Sequence, residues 1–160
     1  MPPRLKGYCL EGMAKKRGSG YNEERGGGVR GTPGRVKMDR NDRFNDLENA
    51  VMQAMLDGSD EVLRVLRGQF ESAAPKGRDT SAGGFTTGFS VSEGAARLSP
   101  PGTFTIEDVD AEIEGLENGA GFELFVVGGV IDRLEGFSYD ERWPADVGRF
   151  KVFYHSWQKR

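Results

Sequence analysis

Four carboxylates fall at alternate positions of one short segment: Asp108, Asp110, Glu112 and Glu114. In an extended chain, residues i, i+2 and i+4 project from one face, so the four would stand in a row. Such a row can offer oxygen ligands to a hard cation, meet a basic partner surface, or be the solvated face of a strand whose other side is core. A flat strand gives one ion about two ligands at most, fewer than a closed site needs, so no metal centre is expected.

A second group, Tyr139-Asp140-Glu141-Arg142-Trp143-Pro144, mixes aromatic rings with charge. Trp, Tyr and Arg are the residue types most enriched at binding hot spots, which singles out Tyr139, Asp140, Arg142 and Trp143 as recognition residues. The competing reading folds Trp143 and Pro144 over the end of a sheet, with Arg142 paired to a nearby carboxylate. His155 is the only histidine and Cys9 the only cysteine. General acid–base chemistry at His155 would need an oriented carboxylate or nucleophile beside it, and the sequence shows none. G-x-S-x-G, H-E-x-x-H and C-x-x-C are all absent, so the sequence points to no catalytic residue, metal or cofactor.

Charge divides the chain at Met38. Residues 1–37 hold nine Lys/Arg against three Asp/Glu, and residues 38–160 hold thirteen against twenty-two. The formal −3 is thus the average of a basic piece near +6 and an acidic one near −9. The first piece has nine glycines and three prolines and no apolar periodicity to offset the entropy of ordering it. It reads as a disordered basic tail, or as an over-extended start whose true beginning is Met38. Within it, Gly26-Gly-Gly-Val-Arg-Gly31 matches G-x-G-x-x-G. The phosphate-binding mechanism needs a strand before that motif and a helix after it, and neither is signalled. Its arginines could contact phosphate backbones without sequence preference. A single cysteine excludes an internal disulfide framework and fits a reducing compartment. No run approaches the ~18 apolar residues of a membrane span, so a cytoplasmic protein is expected.

The elements that must position these groups begin after Met38. Asn41 or Asp42 can cap a helix whose apolar face is Phe44, Leu47, Val51 and Met55, ended by Asp57-Gly58. Ser59 can cap a second, with Val62, Leu63, Leu66 and Phe70 buried and Arg64 and Arg67 facing water. Alternation then predicts strands: Phe85 to Val91, Phe104 to Gly115, two arms around Gly128-Gly129, and Arg149 to Ser156. Phe104 and Ile106 share one parity, and Val109, Ala111 and Ile113 the other. A bulge near Glu107-Asp108, or two separate short strands, would reconcile them. A three-residue hairpin loop, Gly128-Gly129-Val130, would set Leu134 beside Leu124 and keep the apolar residues together. The expected fold is α+β: two N-terminal helices packed on one face of a four- to five-stranded, mainly antiparallel sheet, forming one domain over residues 38–160.

Residues 44–154 resemble a group of small uncharacterised bacterial proteins. The resemblance rests on Leu66-Arg-Gly-Gln-Phe70, Gly84-Phe-Thr-Thr-Gly-Phe89 and Val109-Asp-Ala-Glu-Ile113. Gly119-Ala-Gly-Phe-Glu-Leu-Phe125 and Leu134-Glu-Gly-Phe-Ser-Tyr-Asp-Glu-Arg-Trp-Pro144 carry most of it. It implies a bacterial protein but no activity. The expectation is a small acidic cytosolic module that binds a basic protein partner, of the immunity or adaptor type. The alternatives are a carboxylate-dependent hydrolase or isomerase around Asp108, Asp110 or Asp140, and nucleic-acid contact through the basic tail.

Overall fold

The computed structural model describes residues 43–155 and, as backbone alone, residues 10–13. The elements are β1 (Leu10–Met13), α1 (Asp46–Met55), α2 (Glu61–Glu71), β2 (Ala74–Ser81), β3 (Gly84–Ser90), β4 (Phe104–Ile106), β5 (Val109–Ile113), β6 (Ala120–Val127), β7 (Val130–Ser138) and β8 (Arg149–Tyr154). The class is α+β, but two parts of the expectation change. A strand precedes the helices, so they are not N-terminal, and among the described residues the sheet has eight strands instead of four or five. Every pairing is antiparallel, in the order β1-β8-β5-β6-β7-β3-β2, with β4 also on β6. Strand β1 lies within the stretch read as a tail; the G-x-G-x-x-G match and its arginines lie outside the described residues.

Helix α1 is capped by Asn45, downstream of the positions expected. The Asn45 side chain accepts the Glu48 N–H at 2.8 Å, and the Glu48 carboxylate accepts the Asn45 N–H at 2.8 Å, a reciprocal capping box. Asp60 caps α2 instead of Ser59, accepting the Leu63 N–H at 2.9 Å. Of the apolar stripe expected for α2, Leu63 and Leu66 are buried, whereas Val62 is 42% exposed. Phe70 packs half-buried against the core, and Gln69, not expected there, is wholly buried beside it. Arg67 does not simply face water: its guanidinium donates to the Leu56 and Gly58 carbonyls, closing the C-terminal end of α1.

The missed strand is β2. Ala74-Pro-Lys-Gly-Arg-Asp-Thr-Ser81 contains few strand-forming residues. It is extended because the two-residue turn Ala82-Gly83 folds it onto β3, pairing Ser81 with Gly84 and Thr80 with Phe85. An edge position tolerates what a central strand would not: Pro75, Lys76, and a bulge between Pro75 and Gly77.

Of the two expectations for the parity change before the hairpin, the structure shows two separate short strands and no bulge. β4 and β5 are separate strands, and their registers on β6 differ by one residue, Ile106 opposite Leu124 but Asp110 opposite Gly121. Phe104, Ile106, Val109, Ala111 and Ile113 therefore share a face. The hairpin needs a correction. Its loop is the two-residue turn Gly128-Gly129, with φ of 58° and 81°, values that favour glycine. Val127 pairs with Val130, and the extra residue sits inside β7 as a bulge at Asp132, so that Leu124 does face Leu134. The core needed one more residue between the turn and Leu134, and a bulge supplied it as well as a longer loop would.

Following these registers across the sheet places Phe85, Val109, Ala111, Ile113, Phe122, Leu124, Val126, Leu134, Phe150 and Val152 on one face, all buried. Leu47, Val51, Met52 and Met55 of α1 and Leu63 and Leu66 of α2 join the same core. α1 lies against β1, β5 and β8, and α2 against β7. Burial of this area is the main favourable term for the fold. The opposite face carries Asp110, Glu112, Phe125, Arg133, Phe137, Phe153 and His155.

Candidate functional site

The acidic row is real as geometry. Asp110 and Glu112 lie on β5 towards the face opposite the core, Glu114 follows the strand, and Asp108, half-buried with one carboxylate oxygen covered, immediately precedes it. Its neighbour β8 sets counter-residues beside it. Glu112 is opposite Lys151, Glu114 bonds the Arg149 guanidinium at 3.2 Å, and Asp110 bonds the Nδ1 of His155. The row is thus interleaved with a basic one.

Asp110 is the centre of a three-residue cluster. Besides His155, it accepts the Tyr139 hydroxyl at 3.2 Å. Gly121 makes this possible. A Cβ there would lie 2.5 Å from the Tyr139 oxygen and 2.7 Å from the Phe137 ring, so only glycine lets the two rings, set edge to face at 87°, lie across β6 towards β5. Burial, reinforced by the Asp110 charge and the hydrogen bond, pushes the pKa of the Tyr139 hydroxyl above its usual range. The cluster joins β5, the end of β7 and the end of β8 at one point. Among the described residues, no group of three or more His, Cys, Asp or Glu could hold a metal ion.

Tyr139 is one of several tethers on the loop that continues to Pro144. Ser138 donates its N–H to Gly83 O at 2.9 Å and its hydroxyl to Glu141 O. Asp140 takes φ of 58°, a left-handed conformation that Asp accepts better than most residues. The Glu141 carboxylate accepts the N–H groups of Glu117 and Asn118, both at 2.7 Å, which hold it below the usual carboxylate range. Trp143 donates its N–H to Ala82 O at 2.8 Å, and its ring meets Phe85 edge-on at 5.3 Å between centroids. Trp143 therefore does fold over the sheet end, one of its two expected roles. Arg142, which that reading paired with a carboxylate, makes no ion pair among the described residues.

The same loop bounds a cleft of about 790 Å³. The start of α1 (Asn45, Asp46, Leu47), the end of β2 (Arg78, Thr80, Ser81) and residues 142–147 enclose it. Its floor is apolar, with Leu47, Phe85 and Phe150 buried and Trp143 and Val147 half-buried. Its charges are Arg78, Arg142, Asp46 and Asp146. Arg78 is already satisfied. Its Nε and Nη2 bond the two oxygens of Glu48 at 2.8 and 2.6 Å, which pushes its pKa up further. Glu48 is only 1% exposed and also accepts the Thr87 hydroxyl at 2.6 Å. Asp46, Asp146 and Arg142 are exposed and, among the described residues, in no ion pair.

Of the recognition residues expected from sequence, Arg142 and Trp143 line the cleft. Asp108, Asp110, Glu112, Glu114, Tyr139 and Asp140 do not. What sequence reading missed is the pairing of β5 with β8, which brings His155 to Asp110, and the buried Glu48–Arg78 pair beside the cleft. The first was recoverable, since an antiparallel β8 would set its Arg149/Lys151/Phe153/His155 parity against the acidic row. The second was not, because it depends on the unpredicted strand β2.

No family model, curated protein or solved structure matches the chain.

Proposed function

We propose that the chain is a small binding module, without catalysis, that takes a basic segment of a partner protein into the cleft beside Trp143. One observation carries the reading. Two exposed carboxylates, Asp46 and Asp146, border an aromatic floor, while the lining guanidinium of Arg78 is neutralised by buried Glu48. That combination suits a Lys or Arg side chain, whose stem lies on apolar surface and whose charge meets a carboxylate or an aromatic face. The balance of −9 over residues 38–160 would steer such a partner towards the domain. An immunity or adaptor role in a bacterial cytoplasm fits this chemistry at the level of class.

A carboxylate-dependent hydrolase or isomerase is the weaker reading, because Asp108, Asp110 and Asp140 lie outside the cleft. Nucleic-acid contact would rest on residues outside those described. No described helix is long and apolar enough to cross a membrane.

The test uses Trp143 as the reporter, in full-length protein carrying Trp157→Phe. Arginine- and lysine-containing peptides should change its fluorescence saturably, more weakly at high salt, and with lower affinity after Asp46→Asn and Asp146→Asn together. Equal responses to acidic peptides, or none to basic ones, would overturn the reading.

A further inference from the structure

Strand β2 is the outer edge of the sheet among the described residues, and it forms one wall of the cleft. In an antiparallel pair, alternate residues exchange both hydrogen bonds with the partner, and those between them point both groups outward. The two-residue turn Ala82-Gly83 makes Ser81 and Gly84 the bonded pair, hence Asp79 with Thr86 as well. The N–H and C=O groups of Arg78 and Thr80 therefore point away from β3. These are also the β2 residues on the core face, opposite Thr87 and Phe85, with side chains that line the cleft. One short stretch thus offers main-chain donors and acceptors on its edge beside a pocket on its face.

We infer that the partner segment binds as an added β-strand along Arg78–Thr80, with alternate side chains entering the cleft. Such strand addition takes affinity from main-chain hydrogen bonds and specificity from pockets for alternate side chains. The occupant is an extended segment of a basic protein, because among the described residues that line the cleft the unpaired carboxylates Asp46 and Asp146 outnumber the unpaired cation Arg142. Lys76 and the bulge at Pro75–Gly77 guard the far end of β2, which confines pairing to the end beside the cleft. The inference rests on the binding reading above, and it adds how the segment is held.

The experiment selects binders of the full-length protein from a library of random dodecapeptides and then methylates the backbone nitrogens of a selected basic peptide one at a time. Strand addition predicts that methylation at every second position weakens binding at least about tenfold, the scale of one lost hydrogen bond, and leaves the positions between unaffected. It also predicts slower amide exchange at Arg78 and Thr80 on binding, and loss of binding in Thr80→Pro, which removes an outward donor and no bond to β3. The methylation pattern needs no protein variant, so misfolding of Thr80→Pro would not obscure it. Loss of binding in Trp143→Ala with no alternating methylation effect would overturn strand addition and keep the cleft reading. No binder, or binders indifferent to both changes, would overturn both. A dimer abolished by Thr80→Pro would make a second copy the occupant and overturn the inference.

Discussion

Replacing Arg78 by methionine should be among the most destabilising changes outside the apolar core, although Arg78 lies on an edge strand. The reason is its partner. Glu48 is 1% exposed and receives four hydrogen bonds: two from Arg78, one from Thr87 Oγ1 and one from the Asn45 N–H. Arg78→Met takes away the two charge-assisted bonds and the cation of the salt bridge. Breaking a buried ion pair from one side costs about 3–5 kcal/mol, because the remaining charge stays desolvated. Replacing both members by apolar residues is often neutral or better, so Glu48→Met with Arg78→Met should recover most of the loss. It should stop short of full recovery by about 1 kcal/mol, since Glu48 also closes the capping box of α1. The assay is urea unfolding of the four members of the double-mutant cycle. With a slope of roughly 1–3 kcal/mol per molar, the Arg78→Met midpoint should fall by at least about 1 M. A double variant as unstable as the sum of the single ones would refute the desolvation argument and show that the sites act independently.

Gly84→Ala should destabilise by several kcal/mol or prevent folding, because a Cβ there would lie 1.9 Å from the Gly136 carbonyl oxygen, a backbone atom that cannot turn aside; circular dichroism on heating reads this. Gln69→Leu should cost about 1–3 kcal/mol. The Gln69 side chain donates to Ala96 O and Gly129 O and accepts the Ile131 N–H, and faster hydrogen exchange at Ile131 would identify the lost acceptor. The raised pKa of the Tyr139 hydroxyl means that its contribution is complete below about pH 10, the unfolded value, and is lost as pH rises through the folded value. Tyr139→Phe should therefore be less stable than the parent at neutral pH, and the difference should shrink above pH ~10 in pH-dependent unfolding. A constant difference across that window would contradict the assignment.

What could be read from sequence follows from how local the deciding interaction is. The stripe Leu47, Val51 and Met55 and the alternations of β3, β5, β6 and β8 announce themselves in consecutive residues, and all of them are present. The pairing of Leu124 with Leu134 was legible too, because only one register collects the apolar side chains. Where the extra residue would sit was not, since a longer turn and a bulge at Asp132 satisfy the same core. Strand β2 was hidden for a different reason: its residues have little preference for extension, and their conformation is imposed by β3. The cleft was hidden with it, being assembled from α1, β2 and the 142–147 loop. Arg142 and Trp143 were visible as a composition, but the carboxylates that share their cleft lie elsewhere in the chain. Asp46 sits in the first turn of α1, where a carboxylate is commonplace and gives no sign of a cleft.

The tethering of the loop from Ser138 to Trp143 has a consequence for the kinetics of association. Its backbone is bonded to Gly83 and Ala82, its Glu141 side chain to the Glu117 and Asn118 amides, and its Tyr139 to Asp110. If the cleft binds as proposed, a surface fastened at so many points has little left to order on contact, so encounter should be governed by diffusion and orientation. Related partners would then differ chiefly in how long they stay. Such a surface cannot repack to suit many shapes as a flexible, methionine-rich one does, so a homologue serving another partner should carry different side chains at Asp46, Arg142 and Asp146 on the same fastened frame.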